Sequence, residues 1–185
     1  MAIIYRPKHQ RQLSPGTGPT GRFDCTAYAA AMAIDRATLG GTIVSGKQVR
    51  LASNEPIPDP KSPGLNLPQV VAVAFRWHVE LESRVGAPWS AVMAALREGR
   101  GVILQGDADQ VGAYNCQTGF AGDHAVYVNH ISGDGDLFWQ DPLCKAGKEI
   151  PEAVARAYAE KFARTVGKYP GLLFATTRIT PLIIA

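Results

Sequence analysis

Gly122-Asp-His-Ala-Val-Tyr-Val-Asn-His-Ile-Ser-Gly-Asp-Gly-Asp-Leu-Phe-Trp-Gln-Asp-Pro142 is the stretch that decides the fold class. Ala125 to Ile131 and Leu137 to Gln140 are runs rich in β-branched and aromatic residues, and Ser132-Gly-Asp-Gly-Asp136 between them has the composition of a tight turn, which together predict a β-hairpin. Antiparallel pairing about that turn brings positions 124 and 141 to the same end of the ladder, close enough for a carboxylate to hold an imidazole. The hairpin thus predicts a His124–Asp141 pair. Each half also has an ordinary reading: a histidine opening a strand is more often a surface or capping residue, and an aspartate before proline is a common strand terminator. His124 is expected at the end of the sheet, with one ring face open to a neighbour.

Working outward, Val102 to Gln105 is a short apolar run released by Gly99 and Gly101, and reads as a strand. Before it, Trp89, Val92, Met93 and Leu96 mark one face of a helix from Pro88 to Glu98. Asn66 is a cap for a helix over 67–77, with Pro68 tolerated in its first turn. Residues 13–22 and 52–64 are turn formers, and Asp24 is an expected N-cap for an alanine-rich helix from Cys25 to Ile34. After the hairpin, Pro151 to Thr165 forms an amphipathic helix with Val154, Ala157, Tyr158, Lys161 and Phe162 on one stripe, and Leu172 to Ile179 a closing strand. Helices precede a mostly antiparallel sheet, which is the α+β pattern.

The chain of 185 residues is long enough for one domain with its own core, and no internal repeat divides it. The expected organisation is a single domain over 1–185, with an extended basic arm over 1–22 and a C-terminal helix and strand over 146–185. Hydrophobic residues at 46% against 19% charged exclude disorder and coiled coil. A net charge of +3, even with Arg6, Lys8, Arg11 and Arg22 in an arm without acids, gives no footing for a nucleic-acid partner. No apolar run reaches membrane-spanning length, and Met1-Ala-Ile-Ile-Tyr-Arg-Pro-Lys8 lacks the apolar core of a signal peptide. The chain is therefore expected to be made in the cytoplasm, without membrane insertion. Three cysteines are too few and odd in number for a disulfide framework, so Cys116 and Cys144 are expected to be plain thiols.

Cys25 falls in the first turn of its helix, where open backbone N–H groups and the helix dipole favour a thiolate. A small thiol packed among alanines fits that position equally well. The constellation favours chemistry: a helix-start cysteine, a strand-start histidine and a carboxylate on the next strand are each needed once for covalent catalysis.

These stretches, Asp24-Cys-Thr-Ala-Tyr-Ala-Ala30, Gly122-Asp-His-Ala-Val-Tyr-Val128 and Gln140-Asp-Pro142, resemble the papain-like cysteine peptidases, and within them the bacteriocin-leader-processing (double-glycine) type with its phage and bacterial relatives. The resemblance spans roughly residues 22–145 and includes the helix and strand over 88–105. It implies a two-lobed fold with the site between helices and sheet, Cys25 as nucleophile, His124 as base and then acid, and Asp141 as the orienter of His124. The family carries a glutamine six residues before the cysteine as oxyanion donor, and here Pro19 stands there. Gln12, displaced by the Gly/Pro-rich insertion, is the nearest substitute. Thr26 stands where many relatives have glycine or serine.

Weaker candidates surround these. His130 shares a strand face with His124 but sits about 20 Å away, too far to orient it. A zinc site from Cys116, His124 and Cys144 lacks any close ligand pairing, and Gly133-Asp-Gly-Asp136 is too short for a calcium loop. No metal or cofactor is expected. Trp77, Trp89 and Trp139 read as core, with Trp139 a shield for the His124–Asp141 pair. The expectation is a peptidase or amidase. Because leader-processing relatives are joined to transporters, its substrate is expected to be a cell-wall (peptidoglycan) peptide or a protein partner, met as a component of a phage tail or virion. The competing expectation is a structural docking component of such a particle, with the fold kept and catalysis weak or lost.

Overall fold

In the computed structural model, which describes residues 5–13, 24–55, 64–117, 120, 122–166 and 172–177, the predicted hairpin lies inside a single antiparallel sheet. In chain order the elements are α1 (Cys25–Ala37), α2 (Gly46–Ala52), α3 (Leu67–Ala74), β1 (Leu81–Ala87), α4 (Trp89–Arg97), β2 (Val102–Asp107), β3 (Asp123–Ile131), β4 (Leu137–Gln140), β5 (Lys148–Ile150), α5 (Glu152–Val166) and β6 (Leu172–Thr177). The strand order is β1-β6-β2-β3-β4-β5, so the last strand fills the place between β1 and β2.

Strand alternation splits the core in two. Ile103 and Tyr127 point to one face and pack with α1, α2 and α3. Val102, Leu104, Val126 and Val128 point to the other and pack with α4 and α5. Helices therefore cover both faces, where the sequence pattern suggests a simpler order of helices followed by sheet. From Thr26 to Arg36, α1 is buried without interruption, as its small side chains permit. The hairpin pairs as expected, Tyr127 with Gln140 and Val128 with Trp139, and its turn closes with Ser132 N–H donating to Asp136 O at 2.7 Å.

Several expectations are corrected. Asp24 precedes α1 but caps nothing with its side chain; its fully buried carboxylate is taken by Arg50 of α2, with Arg50 Nε to Oδ1 at 2.7 Å. Ser45 and Gln48 start α2 with a capping box, the Ser-x-x-Gln pattern that the sequence carries at 45–48. The buried stripe of α5 keeps Tyr158 and Phe162 of the expected one, but Ala155 and Ala159 are buried in place of Val154, Ala157 and Lys161, since the small alanines let the helix lie close to the sheet. Predicted loop and strand residues 14–22, 56–63, 178 and 179 lie outside the described residues.

The N-terminal arm, over 5–13, is strapped across the body. Tyr5 Oη and Lys8 N–H donate to the Asp35 carboxylate at 2.8 and 2.6 Å, Arg6 stacks over Phe138 at 4.4 Å, and Gln140 Nε2 donates to Pro7 O at 3.2 Å. The strap ends where Gln12 N–H donates to Pro142 O at 2.9 Å.

Candidate active site

The first turn of α1 and the start of β3 meet at Cys25. Ala125 N–H donates to Cys25 Sγ at 3.3 Å, so the sulfur sits beside the residue that follows His124, and the Thr26 hydroxyl lies 4.0 Å from it. Cys25 is the free cysteine and is partly exposed. His124 Nε2 donates to Asp141 Oδ1 at 2.7 Å, with both side chains almost fully buried. The same oxygen receives Leu143 N–H at 2.8 Å, which fixes the carboxylate against the loop that follows β4.

Protonation follows from this geometry. Burial pushes the Cys25 thiol up, but the charge of His124, with hydrogen bonding to His124 and from Ala125 N–H and Thr26, outweighs it and leaves the thiol below its ordinary value. Burial pushes His124 down, yet the charges of Asp141 and Cys25 carry it up to about 10. Asp141, despite burial, is held below the usual carboxylate range by His124 and Leu143 N–H. With Nε2 committed to Asp141, Nδ1 is the nitrogen left for Cys25, and the thiol feels the charge of the ring more than its hydrogen bond. The arrangement favours a thiolate–imidazolium pair.

Gln12 is buried at the end of the strap, its backbone tied to Pro142 beside Asp141. His124 lies at the end of the sheet, as expected: it pairs with Gly106 one step from the last pair of β2 and β3, and its ring meets Phe120 in a T-shaped contact at a centroid distance of 5.4 Å. Residues with no sequence signal complete the surroundings. Tyr158 Oη donates to His124 O at 2.5 Å and packs edge-on to Trp139, so Trp139 reaches the site through Tyr158. Gly106 leaves the hollow that this tyrosine occupies, since a Cβ there would overlap its ring. His130 is taken up by stacking on Phe138 and by a 2.9 Å hydrogen bond with Asn129.

Cys116 and Cys144 are not plain thiols. They form a disulfide with Cα atoms 5.1 Å apart, because the loop before β3 and the loop after β4 emerge at the same end of the hairpin. The register that joins Asp141 to His124 also joins these two, and leaves neither thiol for zinc.

No family model matches the chain, and no curated protein matches it. Solved structures do. A C39-like peptidase of Bacillus anthracis superposes with a TM-score of 0.64 at 12% identity, covering 96% of this chain and 97% of its own. The fold is that of the C39-like, papain-like peptidases. The peptidase domain of Streptococcus ComA, a bifunctional ABC transporter of a quorum-sensing pathway, gives 0.58 at 15% identity over 94% of this chain and 98% of that one. A double-glycine-motif protease of an AMS/PCAT transporter, solved with its leader peptide, gives 0.53 at 16% over 95% and 96%. Among the described residues, no helix is long and apolar enough to cross a membrane.

Proposed function

We propose that the protein is a cysteine peptidase that hydrolyses a peptide bond through an acyl-thioester on Cys25. The observation that carries this reading is a free thiol, lowered by a neighbouring imidazole that a buried carboxylate orients at 2.7 Å. The Cys25 thiolate adds to the carbonyl carbon, and His124 gives its proton to the departing amine as the C–N bond breaks. Water then attacks the thioester, losing a proton to His124, and the C–S bond breaks to return the thiolate and release the acid. Asp141 holds the ring and balances its charge through both steps. Gln12 is assigned the donor to the oxyanion, a role worth about 3 kcal/mol in comparable sites.

For the substrate we propose a peptide of the bacterial cell wall, met by the chain as part of a phage particle. The Cys116–Cys144 disulfide supports a place of work outside a reducing compartment, and a neighbour of the same fold holds a peptide. The test is digestion of purified peptidoglycan and of a mixed peptide library by the wild type and by Cys25→Ala, with mass spectrometry of new termini. Cleavage by the wild type alone supports the reading. No cleavage, together with iodoacetamide reactivity of Cys25 no greater than that of an ordinary thiol, overturns it in favour of a structural component that keeps the fold.

A further inference from the structure

We propose that the Cys116–Cys144 disulfide is a positioning element of this site, holding the loops on either side of the His124–Asp141 pair in register, and that a dithiol which reduces it slackens the pair and quiets Cys25. The inference rests on the peptidase reading above.

On one side, the bridge anchors the loop that presents Asp141. Cys144 N–H donates to Asp141 O at 2.9 Å, and Leu143 N–H, one residue earlier, donates to the carboxylate oxygen that His124 uses. Cys144 O is itself bonded to His9 Nε2 of the strap at 3.0 Å. On the other side, Cys116 sits in the loop that carries Phe120. Asn115 Nδ2 donates to Phe120 O at 2.9 Å, Asn115 Oδ1 receives Gln117 N–H at 3.0 Å, and the Phe120 ring lies edge-on against His124. One covalent bond therefore links the backing of the imidazole to the seat of its carboxylate. A second charge attends the same place: Lys148 Nζ lies 3.0 Å from Cys116 Sγ, and its charge also reaches Asp141.

The two sulfurs differ in access. Cys116 is exposed, whereas Cys144 is only 3% exposed. A reductant thiolate therefore meets Cys116 Sγ: a bond forms between the two sulfurs, the Cys116–Cys144 bond breaks, and Cys144 leaves as a thiolate that takes a proton. The second thiol of the reductant attacks its own bonded sulfur, closing a cyclic disulfide and releasing Cys116 as a thiolate beside the Lys148 ammonium, which stabilises it. One protein disulfide is reduced and one dithiol oxidised. Cys25 has the opposite requirement, since it must stay reduced, so the site is at its best only at an intermediate redox poise.

The experiment compares oxidised wild type, wild type reduced with dithiothreitol and desalted, and Cys116→Ser/Cys144→Ser. Iodoacetamide labelling of Cys25 is followed against pH by peptide-resolved mass spectrometry, beside peptide cleavage and circular dichroism. With the bridge broken, the labelling midpoint is expected to rise by about one pH unit, a tenfold loss of thiolate at acid pH, and kcat to fall with little change in KM. Reoxidation is expected to restore the wild type and not the serine variant. Superimposable labelling profiles in all three folded samples overturn the inference alone. So does loss of the fold in both bridge-free samples, which makes the disulfide a staple of the whole chain. Absence of acid-pH labelling and of cleavage in the oxidised wild type is a different result: it removes the peptidase reading, and this inference with it.

Discussion

Replacing Asp141 by asparagine changes one charge and little of the shape. The asparagine oxygen can still accept from His124 Nε2–H and from Leu143 N–H, so the ring keeps its orientation. What disappears is the attraction across a 2.7 Å contact between two almost fully buried groups. With charge centres about 4 Å apart and an effective dielectric near 20, that attraction is about 4 kcal/mol, or about three pH units. The asparagine oxygen, still accepting from the ring, keeps part of it, which leaves a fall of about one to three units for His124. His124 starts at about 10. The alkaline limb of kcat/KM is therefore expected to move down by that amount. Each unit also lowers the thiolate–imidazolium pair tenfold relative to the neutral pair, so labelling of Cys25 by iodoacetamide should demand a higher pH. Asp141→Ala, which loses orientation as well as charge, should cost kcat further. Stopped-time labelling from pH 5 to 10 reads the first effect without needing a substrate. An Asp141→Asn profile lying on the wild-type curve would refute the argument, because it would mean that Asp141 contributes no charge to the pair.

Gln12→Ala should lower kcat by about 10²- to 10³-fold with little change in KM if its amide serves the oxyanion, as steady-state kinetics on a cleaved peptide would show. Arg50→Ala leaves the buried Asp24 carboxylate uncompensated and should cost about 3–5 kcal/mol in urea denaturation. Asp24 is already held above its ordinary value by burial, against the pull of Arg50, and without Arg50 it rises further. The cost should therefore shrink as the pH falls below that raised value and the carboxyl becomes neutral. Gly106→Ala drives a methyl into the Tyr158 ring and should cost about 1–3 kcal/mol by calorimetry, with the Tyr158–His124 hydrogen bond disturbed.

What could be read from the sequence was what local chemistry writes locally. The Ser132–Asp136 turn and its flanking runs make the hairpin, and although the pairing shifts between Val128 and Ile131, Asp141 still comes within a 2.7 Å hydrogen bond of His124 at the far end. The cysteine at a helix start followed from the same reasoning. Long-range partners left no such mark. Asp24 looks like a cap because caps are local, but the residue that claims it is Arg50, reached only once α2 packs on α1. Cys116 and Cys144 look like plain thiols because cysteine number and spacing carry no trace of their pairing, which is a by-product of where two loops leave the sheet. The seat of Tyr158 has a similar origin: its ring fills a hollow at Gly106 on a distant strand, and nothing around Tyr158 in the sequence announces that hollow.

The placement of β6 also bears on biosynthesis. A ribosome delivers residues 172–177 after the other described strands, yet they lie between β1 and β2 and bury Phe174 in the core. Until they emerge, β1 and β2 have no shared neighbour, and each presents a bare edge open to pairing with another chain. The nascent protein is thus committed to a late closing step, during which it is most exposed to misassociation. Premature termination even slightly upstream of this strand would strand the two halves of the sheet apart.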